Sequence, residues 1–399
     1  MSWIASTLGM TVKPGGLIQT GPFGSQLHQS DYVGEGIPVI MPKDIADGSV
    51  DASTVARVTE ETAMRLSRHQ LRPRSIVLPR RGEITKRALV RDDQEGWLCG
   101  TGCLQIVVEG TALVPEYLYY YMEQEHVVRW LEQHAVGTTM LNLSAAIVSE
   151  LPVQYPPPNV QQRIADILSA YDDLIENNRR RMALLEDAAR QLYREWFVRL
   201  RFPGHEHTPI TNGVPEGWTR KPLGDLAEIT MGQSPESTHY NQDGEGLPFH
   251  QGVTDFGQRF VSHRVYSTAP NRIAESGDIL CSVRAPVGRL NVTLDRIVIG
   301  RGLSALRSKT GHQSLLLQQL RAHFFKEDLI GGGAIFASVT KKEFAAQELL
   351  EPSLRHKQAF EEMSVNCDEQ LRVLHYQNQQ LRAARDLLLP RLMSGEIAV

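Results

Sequence analysis

The sequence predicts an α+β fold: two α/β domains separated by two long helices that pack as an antiparallel coiled coil. The first observation behind this is that landmark residues occur twice, in one order. Trp3, Leu8 and Gly9 are matched by Trp218, Leu223 and Gly224, and Gly36-Ile-Pro38 by Gly246-Leu-Pro248. Gly100 and Gly102 return as Gly300 and Gly302, and Ala188-Ala-Arg190 returns as Ala383-Ala-Arg385. The offset far exceeds the roughly 20–50 residues of a solenoid repeat, so a whole domain is duplicated. The second observation is a heptad seam at the end of each copy. The third is a pair of β-prone runs in each copy, broken by a tip rich in Pro, Gly and Arg.

The copies divide the chain into a mixed domain over 1–157, a helical region over 158–201, a linker over 202–217, a second mixed domain over 218–350 and a helical region over 351–399. In the first mixed domain Ser75-Ile-Val-Leu78 reads as a strand, Pro79-Arg-Arg-Gly82 as the tip, and Lys86-Arg-Ala-Leu-Val90 as the return. In the second, Asp278 to Val283 alternates like a strand and breaks at Arg284-Ala-Pro-Val-Gly288, and Arg289 to Leu294 runs back. Pro and Gly between two β-prone runs mark a hairpin-like tip.

The first helical region opens after three prolines, with Asn159 as N-cap and Gln162 as its capping-box partner. From there Ile164, Leu168, Tyr171, Ile175, Asn178, Met182, Leu185, Ala189, Leu192 and Trp196 keep a 4-3 spacing, the period of a coiled-coil seam. The second seam is more polar: Met363, Cys367, Gln370, Leu374, Gln377, Leu381, Ala384 and Leu388. Two such seams in one chain satisfy each other by packing antiparallel. At 1.5 Å per residue a helix over residues 160–198 is about 58 Å long, more than one turn of B-DNA at about 34–36 Å.

Composition bounds the chemistry. The chain has 399 residues, 41% hydrophobic and 22% charged, ordinary values for a globular protein. No apolar run reaches the roughly 20 residues of a membrane span, and MSWIASTLGM lacks the features of a secretory signal. Cys99, Cys103, Cys281 and Cys367 form no framework, which suits a reducing cytoplasm, and no second Cys/His pair completes a metal site. The chain contains no phosphate-binding G-x-x-x-x-G-K-[ST] loop and no hydrolase elbow, and His205-Glu-His207 lies in the linker without i, i+4 spacing. No catalytic or metal-binding residues are expected.

Net charge is −4, so any nucleic-acid binding must rest on local patches. Arg65, Arg68, Arg72, Arg74, Arg80, Arg81, Lys86, Arg87 and Arg91 crowd one stretch of the first copy. In the second copy Arg259, Arg264, Arg272, Arg284, Arg289, Arg296, Arg301, Arg307 and Lys309 recur. Arginine is shaped to grip phosphate or the O6/N7 edge of guanine, and Arg81 and Arg284 stand at matching tips. The segments Thr138-Thr-Met-Leu-Asn142 and Ser338-Val-Thr-Lys-Lys342 each lead into a helical pattern, where the same residues serve either phosphate binding or plain helix capping. The candidate DNA-binding residues are Lys43, Arg80, Arg81, Lys86, Arg87 and Thr139 in the first copy. In the second they are Ser282, Arg284, Arg289, Arg301, Ser338, Thr340 and Lys341.

Over essentially its whole length the sequence resembles the specificity subunits of type I restriction–modification systems. The resemblance is carried by Leu223-Gly-Asp-Leu-Ala-Glu-Ile with Gly232-Gln-Ser-Pro235, by Gly277 to Gly288 and by Ile299-Gly-Arg-Gly-Leu303. Gly331 to Thr340 and the Pro156 to Ala165 run complete it. It implies two target-recognition domains that each read one half of a split DNA sequence, with helices that set the unread gap. It also implies that the helices dock two modification subunits, which methylate adenine, and, where present, restriction subunits. S-adenosylmethionine, ATP and Mg then belong to those partners only, and this chain carries no cofactor. The hairpin from Arg284 to Arg289 and its counterpart from Arg80 to Arg87 become the reading loops. The contrasting expectation is a coiled-coil adaptor that binds proteins without DNA readout.

Overall fold

The computed structural model describes residues 3–13, 15–46, 48–53, 55–108, 110–137, 140–324 and 339–399. The chain divides into two compact units, Met1–Asn177 with Gln377–Val399 and Asn178–Tyr376. Each unit therefore combines a mixed domain with one half of each long helix.

The duplication is visible strand by strand. In the first unit an antiparallel sheet runs Leu17–Thr20, Cys103–Val107, Ile76–Pro79, Ala88–Leu89. The second unit repeats that order with Ala227–Met231, Leu303–Ser308, Ile279–Ser282, Leu290–Val292. A second sheet in each unit contains one parallel pair, Leu98–Cys99 with Ile37–Ile40 at the edge of the first and Ile297–Ile299 with Leu247–His250 inside the second. A third pairing closes each domain at its ends, Ile4–Thr7 against Pro152–Tyr155 and Thr219–Pro222 against Glu348–Glu351. Nearly every residue of the inner strands Ile76–Pro79, Cys103–Val107 and Ile279–Ser282 is buried, as the continuous apolar runs require.

The central helix spans Pro158–Tyr193 and ends in a wider π turn over Arg194–Val198. Its start differs from the expected cap. Pro158 is the first helical residue, so Asn159 lies inside the first turn. The neighbouring Gln161 fixes the entry instead. Fully buried, it accepts from the Val114 amide and donates to the carbonyls of Ala112 and Pro156. The C-terminal helix spans Leu354–Met393.

Within the first unit, Ile164, Ala165 and Leu168 share a core with Leu389, Leu392 and Met393, and Leu388 packs against it. Farther along, Asp172 pairs with Arg385, so position numbers fall on one helix as they rise on the other. Within the second unit, Met182 and Leu185 meet Leu371 and Leu374, and Tyr193 and Trp196 meet Phe360. The pairing is antiparallel inside each unit. Along the central helix Ile175, Asn178, Met182 and Ala189 are buried, and Tyr171, Leu185 and Leu192 are half-buried, so the expected seam is the packed one.

The C-terminal seam needs correction. Met363 is 51% exposed, and Gln370 and Gln377 are exposed too. The buried positions are one residue on: Ser364, Leu371 and Asn378, with Phe360, Leu374 and half-buried Cys367 and Leu381 between them. Apolarity misled because the packed face carries Lys357, Ser364 and Asn378, all buried. The 4-3 period is the same, with every second step moved.

The linker is anchored rather than loose. Phe202 is fully buried, its ring 4.7 Å from those of Trp218 and His356. No described helix is long and apolar enough to cross a membrane.

Candidate nucleic-acid interface

In both units four backbone segments converge where the sheet strands end, and the same hydrogen bonds hold them. In the first unit Gly21 N–H donates to Cys103 O, Gly100 N–H to Ile40 O, Arg80 N–H to Gly102 O and Leu143 N–H to Arg80 O. In the second, Gly232 N–H donates to Leu303 O, Gly300 N–H to His250 O, Val283 N–H to Gly302 O and Val339 N–H to Val283 O. Arg80 and Val283 are therefore structural equivalents, and so are the residues that follow them, Arg81 and Arg284.

Glycine makes this convergence possible. A Cβ on Gly21 would stand 1.9 Å from Gly100 O, and one on Gly232 would stand 2.1 Å from Gly300 O. Real Cβ atoms do not approach so closely, so backbone contact requires glycine at Gly21 and Gly232. They bring the loop side chains to one end of each sheet.

Arg81 and Arg284 are exposed and make no hydrogen bond or ion pair among the described residues. Arg301 is exposed beside Arg284's strand, and its side chain is likewise unengaged. Arg80 is half-buried, with its guanidinium 5.6 Å from the Phe23 ring centroid and 3.4 Å from Asn142 Oδ1. Burial, with help from the charge on Arg81, moves the Arg80 pKa below the ordinary arginine value. Lys43 is 62% exposed and 3.5 Å from Asp44, and Lys86 is exposed and pairs with Glu83. Lys341 is exposed at the start of a short helix.

Several expected contacts turn inward instead. Arg87 is only 10% exposed; it donates to Tyr119 O, pairs with Glu123 at 3.0 Å and lies over the Tyr119 ring. It braces the hairpin from inside. Ser282 is buried, its hydroxyl donating to Pro286 O at 2.5 Å and accepting from Arg289 N–H at 2.8 Å. That hydroxyl shapes the tip and is not offered to a ligand. Thr340 closes a capping box with Glu343, so between phosphate binding and capping it caps. Arg289 is exposed but lines a cleft of about 1150 Å³ that it shares with Arg190 and Arg194 of the central helix. Thr139 and Ser338, with the Gly331 to Ser338 run, lie outside the described residues.

The arginine count overstated the free charge. Arg259 is buried against Glu186 and Asp368, and Arg307 pairs with Asp278, Arg264 with Asp255 and Arg296 with Glu275. In the first unit Arg65 pairs with Asp31, Arg74 with Glu116 and Arg91 with Asp93. Most of these carboxylates are distant in sequence and so were invisible to a local count.

Sequence reading passed over Phe23, Met41, Ser234 and Gln251. Phe23 is 56% exposed and Gln251 is exposed, both on the converging loops. Ser234 Oγ accepts from Arg301 N–H at 3.2 Å and donates to Gln251 Oε1 at 2.7 Å. The signal available was their fixed distance from the repeated glycines.

A family model described as type I restriction modification DNA specificity domain matches residues 30–187. Over 375 residues the chain is 27% identical to the putative type I restriction enzyme MjaX specificity subunit of Methanocaldococcus jannaschii, covering 91% of this chain and 88% of that one. Residues 30–187 thus match the DNA specificity domain of type I restriction–modification systems, and over most of its length the chain is similar to specificity subunits. A more distant relative is the HindI specificity subunit of Haemophilus influenzae, 22% identical with 77% of this chain and 83% of that one covered. The crystal structure of the type I restriction–modification S subunit from M. genitalium shares the fold, with a TM-score of 0.56 at 16% identity, over 98% of this chain and 96% of that one.

Proposed function

We propose that this chain reads a split DNA target without performing chemistry on it, one half-sequence at each loop cluster. The observation that carries this reading is the matched pair Arg81 and Arg284, each exposed, without a partner among the described residues and set by the same backbone bonds. A free guanidinium at a hairpin tip suits major-groove contact with guanine or a phosphate. The paired helices set the unread gap and offer their outer faces to two modification subunits, and to restriction subunits where these are present. S-adenosylmethionine, ATP and Mg are then held by those partners, and this chain takes none.

The test is salt-dependent binding of the purified chain, alone and with its modification partner, to duplex DNA. Counterion release predicts a log–log slope near −0.9 per phosphate contact. A flat response to salt removes the reading and leaves a protein-only adaptor. With labelled S-adenosylmethionine, methyl transfer is expected only when the partner is added. Removing one heptad from each helix at facing positions should change the number of unread base pairs and leave both half-sequences unaltered.

A further inference from the structure

The two clusters share a backbone but not a lining. Counting from the equivalent glycines, Phe23 corresponds to Ser234, Met41 to Gln251 and Thr101 to Arg301. The correspondence is spatial as well as numerical. A Cβ on Gly100 would lie 2.4 Å from Met41 Sδ, and one on Gly300 would lie 2.6 Å from Gln251 Oε1. Both side chains therefore lie across the same glycine. One cluster presents an exposed aromatic ring and a thioether, the other an amide and a guanidinium.

From this difference, and resting on the DNA-reading role proposed above, we infer that these three positions determine which bases each recognition domain accepts. In the second domain the hydrogen-bond chain is ordered: Arg301 N–H to Ser234 Oγ, then the Ser234 hydroxyl to Gln251 Oε1. That order assigns the amide. Oε1 keeps one lone pair, and Nε2 keeps its two protons, since Gln251 has no other partner among the described residues. An acceptor beside a donor in one plane matches adenine N6 and N7, and the free guanidinium of Arg301 matches guanine O6 and N7. The second domain is thus built to read purine edges.

Phe23 and Met41 supply neither donor nor strong acceptor. Apolar side chains in the major groove distinguish bases by contact with the thymine methyl. The first domain therefore reads a thymine at the corresponding place, with Arg80 steadying the Phe23 ring from behind.

The experiment exchanges the linings. The full chain, assembled with its modification partner, selects from a random-sequence duplex library, and the enriched sequences are read. Wild type should enrich one split sequence. Gln251→Met and Arg301→Thr should each lose roughly ten- to hundredfold discrimination at one base of the second half-sequence, and leave the first half unchanged. Met41→Gln should lose the thymine preference in the first half only. Arg301→Lys keeps the charge but not the fork, so it should retain overall binding while losing the guanine preference. Unchanged preferences in these variants, loss in the wrong half, or equal weakening on all sequences would each overturn the assignment while leaving DNA reading intact. A wild-type complex that enriches no sequence would take down the broader reading, and this inference with it.

Discussion

Arg259, only 5% exposed, donates to Asp368 Oδ1 at 2.5 Å and so ties the second mixed domain to the C-terminal helix. Its other side lies 3.2 Å from Glu186 on the central helix, which also pairs with Arg321. One guanidinium thus joins domain and both helices within that unit.

Arg259→Ala leaves Glu186 and Asp368 facing each other without their shared cation. Losing one member of a buried charged group costs about 3–5 kcal/mol when fully buried, and the partial exposure of Asp368 puts this case near 3. Urea unfolding followed by tryptophan fluorescence measures it. A loss under about 1 kcal/mol would mean the contact adds no more than a surface pair.

Arg81→Ala and Arg284→Ala should behave as mirror images. If each reads a base, each costs about 1–3 kcal/mol of binding and relaxes discrimination in its own half-sequence alone. Binding competition against single-base variants of the target tells base contact from phosphate contact, because a phosphate anchor weakens all sequences alike.

Arg87→Ala makes the control for the first domain. Its guanidinium is held by Tyr119 O and Glu123, so its loss should destabilise the fold by about 1–3 kcal/mol through the unpaired carboxylate and lost hydrogen bond. Sequence preference in the molecules that remain folded should not change. A thermal melt beside the binding assay separates the two effects.

Ser282→Ala removes the hydroxyl that bridges Pro286 O and Arg289 N–H. The expected cost is about 1–2 kcal/mol, concentrated in the tip. Hydrogen exchange at the Arg289 amide should quicken while the Ile279–Ser282 strand keeps its protection. If strand and tip loosen together, the hydroxyl is holding the sheet instead.

Acid should weaken the second unit through His250. Burial, then the neighbouring His263, lowers its pKa to about 4 from an ordinary 6.5. Its Nε2 lies 3.0 Å from His263 Nδ1, and His263 in turn lies 2.9 Å from Asp295. Because the folded pKa is depressed, the unfolded chain takes up the proton first as pH falls. Stability is full above about pH 6.5 and declines towards pH 4, by roughly 2–3 kcal/mol for this one group. His250→Gln should flatten that part of the stability–pH curve; an unchanged slope would assign the acid sensitivity to other groups.

Much of the architecture was legible in local pattern. Of the repeated glycines, Gly36, Gly100 and Gly246 reported close backbone approaches, since a Cβ there would stand 2.2 to 2.4 Å from a carbonyl oxygen. The central seam from Ile164 to Trp196 was readable because nearly every buried position is apolar. The phase of the C-terminal seam was not, because Met363 looks like a better core residue than Ser364, and Gln377 like an equal of Asn378. Only the facing helix decides which of two adjacent positions is covered.

The sequence by itself determined the duplication, the antiparallel helical pair and the two arginine-bearing hairpin tips, because period, turn chemistry and glycine placement are short-range properties. Tertiary structure decided which cations remain available for a ligand. Arg87, Arg259 and Arg307 are neutralised by carboxylates 29 to 109 residues away, whereas Arg81, Arg284 and Arg301 have no such partner among the described residues. Charge availability depends on distances in space, and chain spacing does not encode them.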